Sequence, residues 1–279
     1  MTKTEPAQGG EVRSVIGGDG VKLQYEVVGA GPPLVLLHGG FAGRFTFSRQ
    51  RTLAEHYLLI IPSTRGHDGT DGTLPKDYGF DSSEVSDLCA VLDAETVEQA
   101  DFIAHSSGGA TAFALARLYP NRVNRLVLIE PTLLALLPPP IRQKTVRAFE
   151  DIVRTAEREG DAAALRAAIA WAGGTTWSRL DDATQQVRLQ SMAPLAPITA
   201  PHIGGLLAFN VTDDDVRGLR PRTLLLYGTN SVEFEPAIAQ RFRELRPDLP
   251  LTTIEGAGHN LHRERPDIVN AAIIDFLAG

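Results

Sequence analysis

Residues 101–120 read DFIAHSSGGATAFALARLYP. An apolar stretch runs into a histidine, two serines and two glycines, and a helical pattern follows with almost no loop between. A buried strand that turns this abruptly into a helix forces the turn residue into an unfavourable backbone conformation. It also requires small residues two positions before and two after the turn. With Ser106 at the turn, those flanks are Ala104 and Gly108. With Ser107 they are His105 and Gly109, and histidine is too bulky for the close approach. Ser106 is therefore the candidate nucleophile. Ser107 becomes the first helical residue, its backbone N–H aimed at a bound carbonyl with the help of the helix N-terminus.

Outward from this junction the same alternation repeats. PLVLLHGG (33–40), YLLIIPS (57–63), ADFIAHS (100–106), RLVLIEP (125–131), RTLLLYG (222–228) and PLTTIEGAG (250–258) are near-continuous apolar runs, as strands buried on both faces are. VKLQYEVVG (21–29) alternates and reads as a half-exposed strand. Helical patterns cover 82–97, 107–119, 235–246 and the stretch after Pro266. Strands alternating with helices imply an α/β fold with a mostly parallel, doubly wound sheet.

Residues 132–220 break the rhythm, with no convincing strand and several helical stretches, too long for an ordinary connection. The expectation is a helical cap over 135–215, inserted into a core made of 11–134 and 216–279. Trp171, Trp177, Met192 and Phe209 fall inside it. They either build the insertion's own small core or line a substrate pocket where it meets the sheet.

Composition narrows the function classes. The chain has 279 residues, 43% of them hydrophobic, enough for one large core. The net charge is −7 and no Lys/Arg stripe appears, which argues against a nucleic-acid partner. The single cysteine, Cys89, excludes an intrachain disulfide and CxxC metal sites, and its helical spacing among apolar residues suits a buried position. The first ten residues read as a flexible tail without the apolar core of a signal peptide, and no window is long and apolar enough to span a bilayer. The expectation is a cytoplasmic protein with no membrane partner.

The elbow A-H-S-S-G is a G-x-S-x-G sequence with alanine for the first glycine, and here the chain resembles the α/β-hydrolase superfamily over nearly its whole length. LLHGG resembles the segment that supplies an oxyanion donor in that superfamily. PSTRGHDGTD resembles its D-x-R-G-H-G-x-S loop, with Ser63 where Asp is usual and Asp68 where Gly is usual. GAGHNLHRERPDIV resembles the region that carries the catalytic histidine. Four segments in the right order imply an α/β-hydrolase fold and a cap-bearing serine hydrolase.

Seven histidines compete to be the base. His38 and His67 sit in the oxyanion and Arg-Gly-His turns and read as structural. The His105 side chain should point away from Ser106, His56 precedes a strand, and His202 lies in the insertion. His259, just past the last strand on the edge where the elbow emerges, is the candidate base, with His262 a few residues deeper.

The acid is where the chain departs from the pattern. In the resembled proteins it follows the strand RTLLLYG in a G-x-x-D turn, and that position is Ser231 here. Glu130, at the end of RLVLIEP, is the favoured replacement, because a carboxylate closing a buried strand needs a partner. The alternative acid is Glu233 on the later loop, with Glu235 beyond it. An acid 24 residues after the nucleophile resembles the layout of one subgroup of haloalkane dehalogenases and of zearalenone-type lactonases, and the latter share the S-S-G elbow.

With Gly40 and Ser107 N–H groups as oxyanion donors and Phe41 beside them as wall or substrate contact, the expected activity needs no cofactor and no metal. It is the cleavage of a small, hydrophobic carboxylic ester or lactone through an acyl-serine. The competing readings are hydrolysis of C–C or amide bonds or perhydrolysis on the same fold, or a non-catalytic ligand-binding protein.

Overall fold

The computed structural model describes residues 9–75 and 77–279. Eight strands form one sheet: β1 (Glu11–Ile16), β2 (Lys22–Val28), β3 (Pro33–Leu37), β4 (Leu58–Pro62), β5 (Ala100–His105), β6 (Val123–Ile129), β7 (Arg222–Gly228) and β8 (Leu251–Ile254). Their order is β1-β2-β4-β3-β5-β6-β7-β8. β2 runs antiparallel to both β1 and β4, and all later pairings are parallel.

The central strands divide their side chains between two cores. Val35, Leu37, Phe102, Ala104, Leu126 and Leu128 face one side. Leu34, Leu36, Ile103, Val127 and Ile129 face the other. Helices α1 (Val85–Ala94), α2 (Ser107–Leu118) and α8 (Phe234–Leu245) cover the first side, and α9 (Pro266–Ala278) covers the second. This is why the strands read as unbroken apolar runs: both faces are dry. Each fully buried Leu or Ile contributes about 1.5–3 kcal/mol.

β1 went unread in the sequence because it buries little. Val12 and Ile16 are 55% and 62% exposed, so no apolar face marks it. Most of the expected tail, residues 1–8, lies outside the described residues. Its last residue, Gly10, donates its N–H to Glu26 Oε1 at 2.7 Å.

Between β6 and β7 the chain leaves the sheet for a helical layer: α3 (Pro139–Glu159), α4 (Asp161–Ser178), α5 (Asp182–Met192), α6 (Ala196–Ala208) and the short α7 (Asp213–Arg217). α4 is kinked at Gly174, whose φ is 46°. Phe149 and Ile152 of α3, Ala164 and Ala168 of α4, and Ile203 and Leu206 of α6 pack in one cluster with the sheet's first core. The layer thus lies over the C-terminal ends of the strands, where open α/β sheets place their sites. No helix among the described residues is long and apolar enough to cross a membrane.

Candidate active site

Ser106 links β5 directly to α2 with φ 55° and ψ −124°. Such a conformation costs roughly 1–3 kcal/mol in a non-glycine residue and persists only when neighbours hold it. Here the Ser106 N–H donates to Ile129 O at 3.0 Å, and its carbonyl accepts from Gly109 N–H at 2.9 Å and Thr132 N–H at 3.0 Å. A Cβ on Gly108 would lie 2.5 Å from His38 O and 2.6 Å from Leu37 O. Small size at that position is a hard steric requirement.

Three side chains from three loop ends meet at this turn. His259, past β8, brings Nε2 to 3.1 Å from Ser106 Oγ. Its Nδ1–H faces Glu130 Oε2 at 2.7 Å. Glu130 is the first residue beyond β6, takes a left-handed φ of 44°, and is 1% exposed. Its other oxygen accepts from the Gly228 N–H at 2.8 Å and from the Ser231 hydroxyl. Three donors thus satisfy a buried carboxylate that would otherwise be very costly. With its Nδ1–H committed to Glu130, a neutral His259 keeps its Nε2 lone pair for the Ser106 hydroxyl.

The alternative acid is elsewhere. Glu233 points outward, 58% exposed, and pairs with Lys144 at 2.6 Å, so it does not serve His259. The physical reason is its place ahead of α8, which turns the chain and swings Glu235 inward instead. Glu235 is 2% exposed, its Oε1 is 3.4 Å from His259 Nδ1, and neither of its oxygens makes a hydrogen bond. Burial, then the Glu130 charge, pushes its carboxyl well above the usual range. Among the described residues Glu130, Glu235 and His259 form the one acidic and histidine group close enough to hold a metal ion. Both Glu130 oxygens already accept hydrogen bonds, which leaves Glu235 as its one uncommitted ligand.

Two histidines brace the Gly39–Gly40 turn. His38 Nδ1–H donates to Gly39 O at 2.8 Å, and its Nε2 accepts from the Thr64 N–H. His67 Nε2–H donates to Gly40 O at 3.0 Å. Burial lowers both, His38 to about 3, so both stay neutral. Their grip on the two carbonyls fixes the peptides around Gly40. The two departures in the adjoining loop compensate each other: Ser63 Oγ–H donates to Asp68 Oδ2 at 3.0 Å, and the Arg44 N–H donates to the same oxygen at 2.7 Å.

His105 donates from Nε2 to His259 O at 2.9 Å and packs against the His259 ring rather than serving Ser106. His262 is fully buried and bonds Thr46 Oγ1 at 3.0 Å through Nε2. His56 is exposed. His202, left in the insertion by sequence reading, arrives beside Gly40.

Above these groups lies a cavity of about 480 Å³, lined among others by Phe41, Trp171, Trp177, Met192 and His202. Trp171 stacks on Phe234 at 5.4 Å and meets Phe149 edge-on at 4.6 Å. Trp177 packs with Leu165, Ile169 and Leu195. The indole and thioether groups therefore serve both the insertion's packing and the cavity wall.

The model of the alpha/beta hydrolase family matches residues 34–272. Over 271 residues, 95% of this chain and 96% of the relative, the sequence is 28% identical to the 2-hydroxy-6-oxo-2,4-heptadienoate hydrolase of Pseudomonas putida. Among solved structures, Est816, described as an N-acyl homoserine lactone degrading enzyme, is 24% identical and superposes with a TM-score of 0.73, covering 95% of this chain and 100% of its own. The enol-lactonase from Burkholderia xenovorans LB400 is 19% identical with a TM-score of 0.78, covering 96% and 100%.

Proposed function

The chain belongs to the alpha/beta hydrolase family, and from that premise we propose that it is a cofactor-free serine hydrolase cleaving a small carboxylic ester or lactone through an acyl-Ser106 intermediate. The observation that carries the reading is the continuous hydrogen-bonded run from Ser106 Oγ through His259 to Glu130.

In this reading His259 Nε2 takes the Ser106 proton as Oγ attacks the carboxyl carbon. Glu130 holds the imidazole in its tautomer and stabilises the imidazolium that forms. The oxyanion sits between the Gly40 and Ser107 N–H groups, the latter lacking an intrahelical acceptor because it opens α2. His259 then protonates the leaving alcohol, and water cleaves the acyl-enzyme by the same route. The helical insertion acts as a cap, its aromatic wall suiting a hydrophobic substrate. With a lactone, the alcohol stays tethered until deacylation.

The test is hydrolysis of p-nitrophenyl esters of increasing chain length and of a lactone panel, with Ser106→Ala as control. Turnover lost in Ser106→Ala, together with labelling of the intact protein by a serine-directed phosphonate, is expected. A protein that hydrolyses none of these and resists the phosphonate overturns the reading.

A second reading is cleavage of a C–C bond, favoured by the similarity to the Pseudomonas putida hydrolase across nearly the whole chain. Turnover of 2-hydroxy-6-oxo-2,4-heptadienoate exceeding that of every ester would select it.

A further inference from the structure

His202 is 8% exposed, stands on the cavity wall, and its Nε2 has no hydrogen-bond partner. That nitrogen lies 2.9 Å from where a Cβ on Gly40 would be, so only glycine leaves room for the ring there. An unpartnered buried polar atom carries a desolvation cost, which a donor group of a bound ligand would relieve.

The other side of the ring is fixed. Tyr78 donates its hydroxyl to Glu84 Oε1 at 2.5 Å, and its oxygen stands 3.2 Å from His202 Nδ1. Glu84 is buried in the π-helical turn Phe80–Glu84, and burial raises its carboxyl to about 7. Above that pH it is ionised and accepts from Tyr78. The Tyr78 oxygen then accepts from His202 Nδ1–H, and Nε2, at the ring edge that meets Gly40 on the cavity wall, is left with an unused lone pair. Burial first, then His67, lowers His202 to about 3, so the ring stays neutral. Phe80 packs edge-on against it at 5.3 Å. Gly205 sets α6 close against Tyr78, where an added Cβ would meet the ring at 3.0 Å.

We propose that His202 is a substrate-recognition residue whose Nε2 accepts a hydrogen bond from a hydroxyl or N–H on the carbon next to the scissile carbonyl. The placement follows from the proposed hydrolysis, on which it rests. The leaving oxygen must face His259 to receive its proton, so the acyl substituent extends the other way, past Gly40, where His202 stands. The substrate class is an ester or lactone carrying a hydroxyl or N–H at the α carbon. Turnover then supplies an α-hydroxy or α-amido acid to whatever reaction follows.

The experiment compares methyl mandelate, as each enantiomer, with methyl phenylacetate at pH 8, in wild type, His202→Phe and His202→Gln. For one enantiomer the ratio of kcat/KM for mandelate over phenylacetate should fall about tenfold or more in His202→Phe, the scale of one lost hydrogen bond. His202→Gln, whose side-chain oxygen can still accept, should recover part of it. An unchanged ratio for both enantiomers overturns the proposal. In a second arm, calorimetry on Ser106→Ala protein measures mandelate against phenylacetate binding, with the same His202 substitutions added. Tighter mandelate binding that His202→Phe abolishes supports the proposal even if no ester is turned over, in which case only the hydrolytic reading fails. Equal binding of the two methyl esters overturns it.

Discussion

The Ser231 hydroxyl donates to Glu130 Oε1, so the loop after β7 steadies a carboxylate presented by the end of β6. In the sequence Ser231 marks only the position where the resembled proteins carry an acid, and Glu130 the residue expected to replace it. In space they are partners. The serine supplies one of the three donors that satisfy the Glu130 carboxyl oxygens in a nearly dry place.

Glu130→Gln should lower kcat on the order of 10³–10⁴-fold in steady-state ester hydrolysis, because the imidazole loses both its tautomer and its counter-charge. Glu233→Gln should leave kcat within about twofold, since an exposed ion pair such as that with Lys144 contributes about 1 kcal/mol or less. The reverse pattern would move the acid to the later loop.

Ser231→Ala removes one hydrogen bond to a charged group, a loss of about 1.5–3 kcal/mol. Denaturant unfolding should show a destabilisation of about that size, and kcat should drop by about tenfold or more as Glu130 loses its orientation. A variant matching wild type in both measurements would mean that the Gly228 and His259 N–H groups suffice to hold the carboxylate.

Glu235→Gln tests the buried carboxyl beside His259. Its folded pKa is raised, so the folded state binds the proton more tightly than the unfolded chain does. The sign follows: the group costs nothing below its unfolded pKa of about 4.5, and stability falls as pH rises above it. Thermal unfolding of wild type and variant should therefore coincide near pH 4. The variant should become progressively the more stable toward neutral pH. Glu84 pulls in the same direction in both proteins and cancels in the comparison.

Two glycine substitutions should separate close approach from open space. Gly108→Ala drives a Cβ into the His38 and Leu37 carbonyls and should cost several kcal/mol, or prevent folding. Gly204→Ala, inside α6 with nothing within 4 Å of the new Cβ, should stabilise by about 0.5–1 kcal/mol in urea unfolding.

What the sequence by itself determined is local. The central strands were legible because a strand covered on both faces must be apolar at successive positions, as Leu34 to Leu37 and Phe102 to Ala104 are. Ser106 was separable from Ser107 because the steric demand falls on residues two positions away, within one turn of chain. β1 was not legible, since an edge strand with exposed Val12 and Ile16 carries no burial pattern. The tertiary structure alone decided which groups meet. His259 reaches Glu130 across 129 positions and Ser106 across 153, and only the packing of strand ends sets those distances. It turned Glu233 to solvent and Glu235 inward, two residues apart at the start of α8, by the direction in which that helix begins. It also carried His202 from the insertion to Gly40, a meeting that no spacing in the chain encodes. Patterns of period two or near four record what a side chain is buried against in kind. Which partner it is buried against depends on how the elements dock.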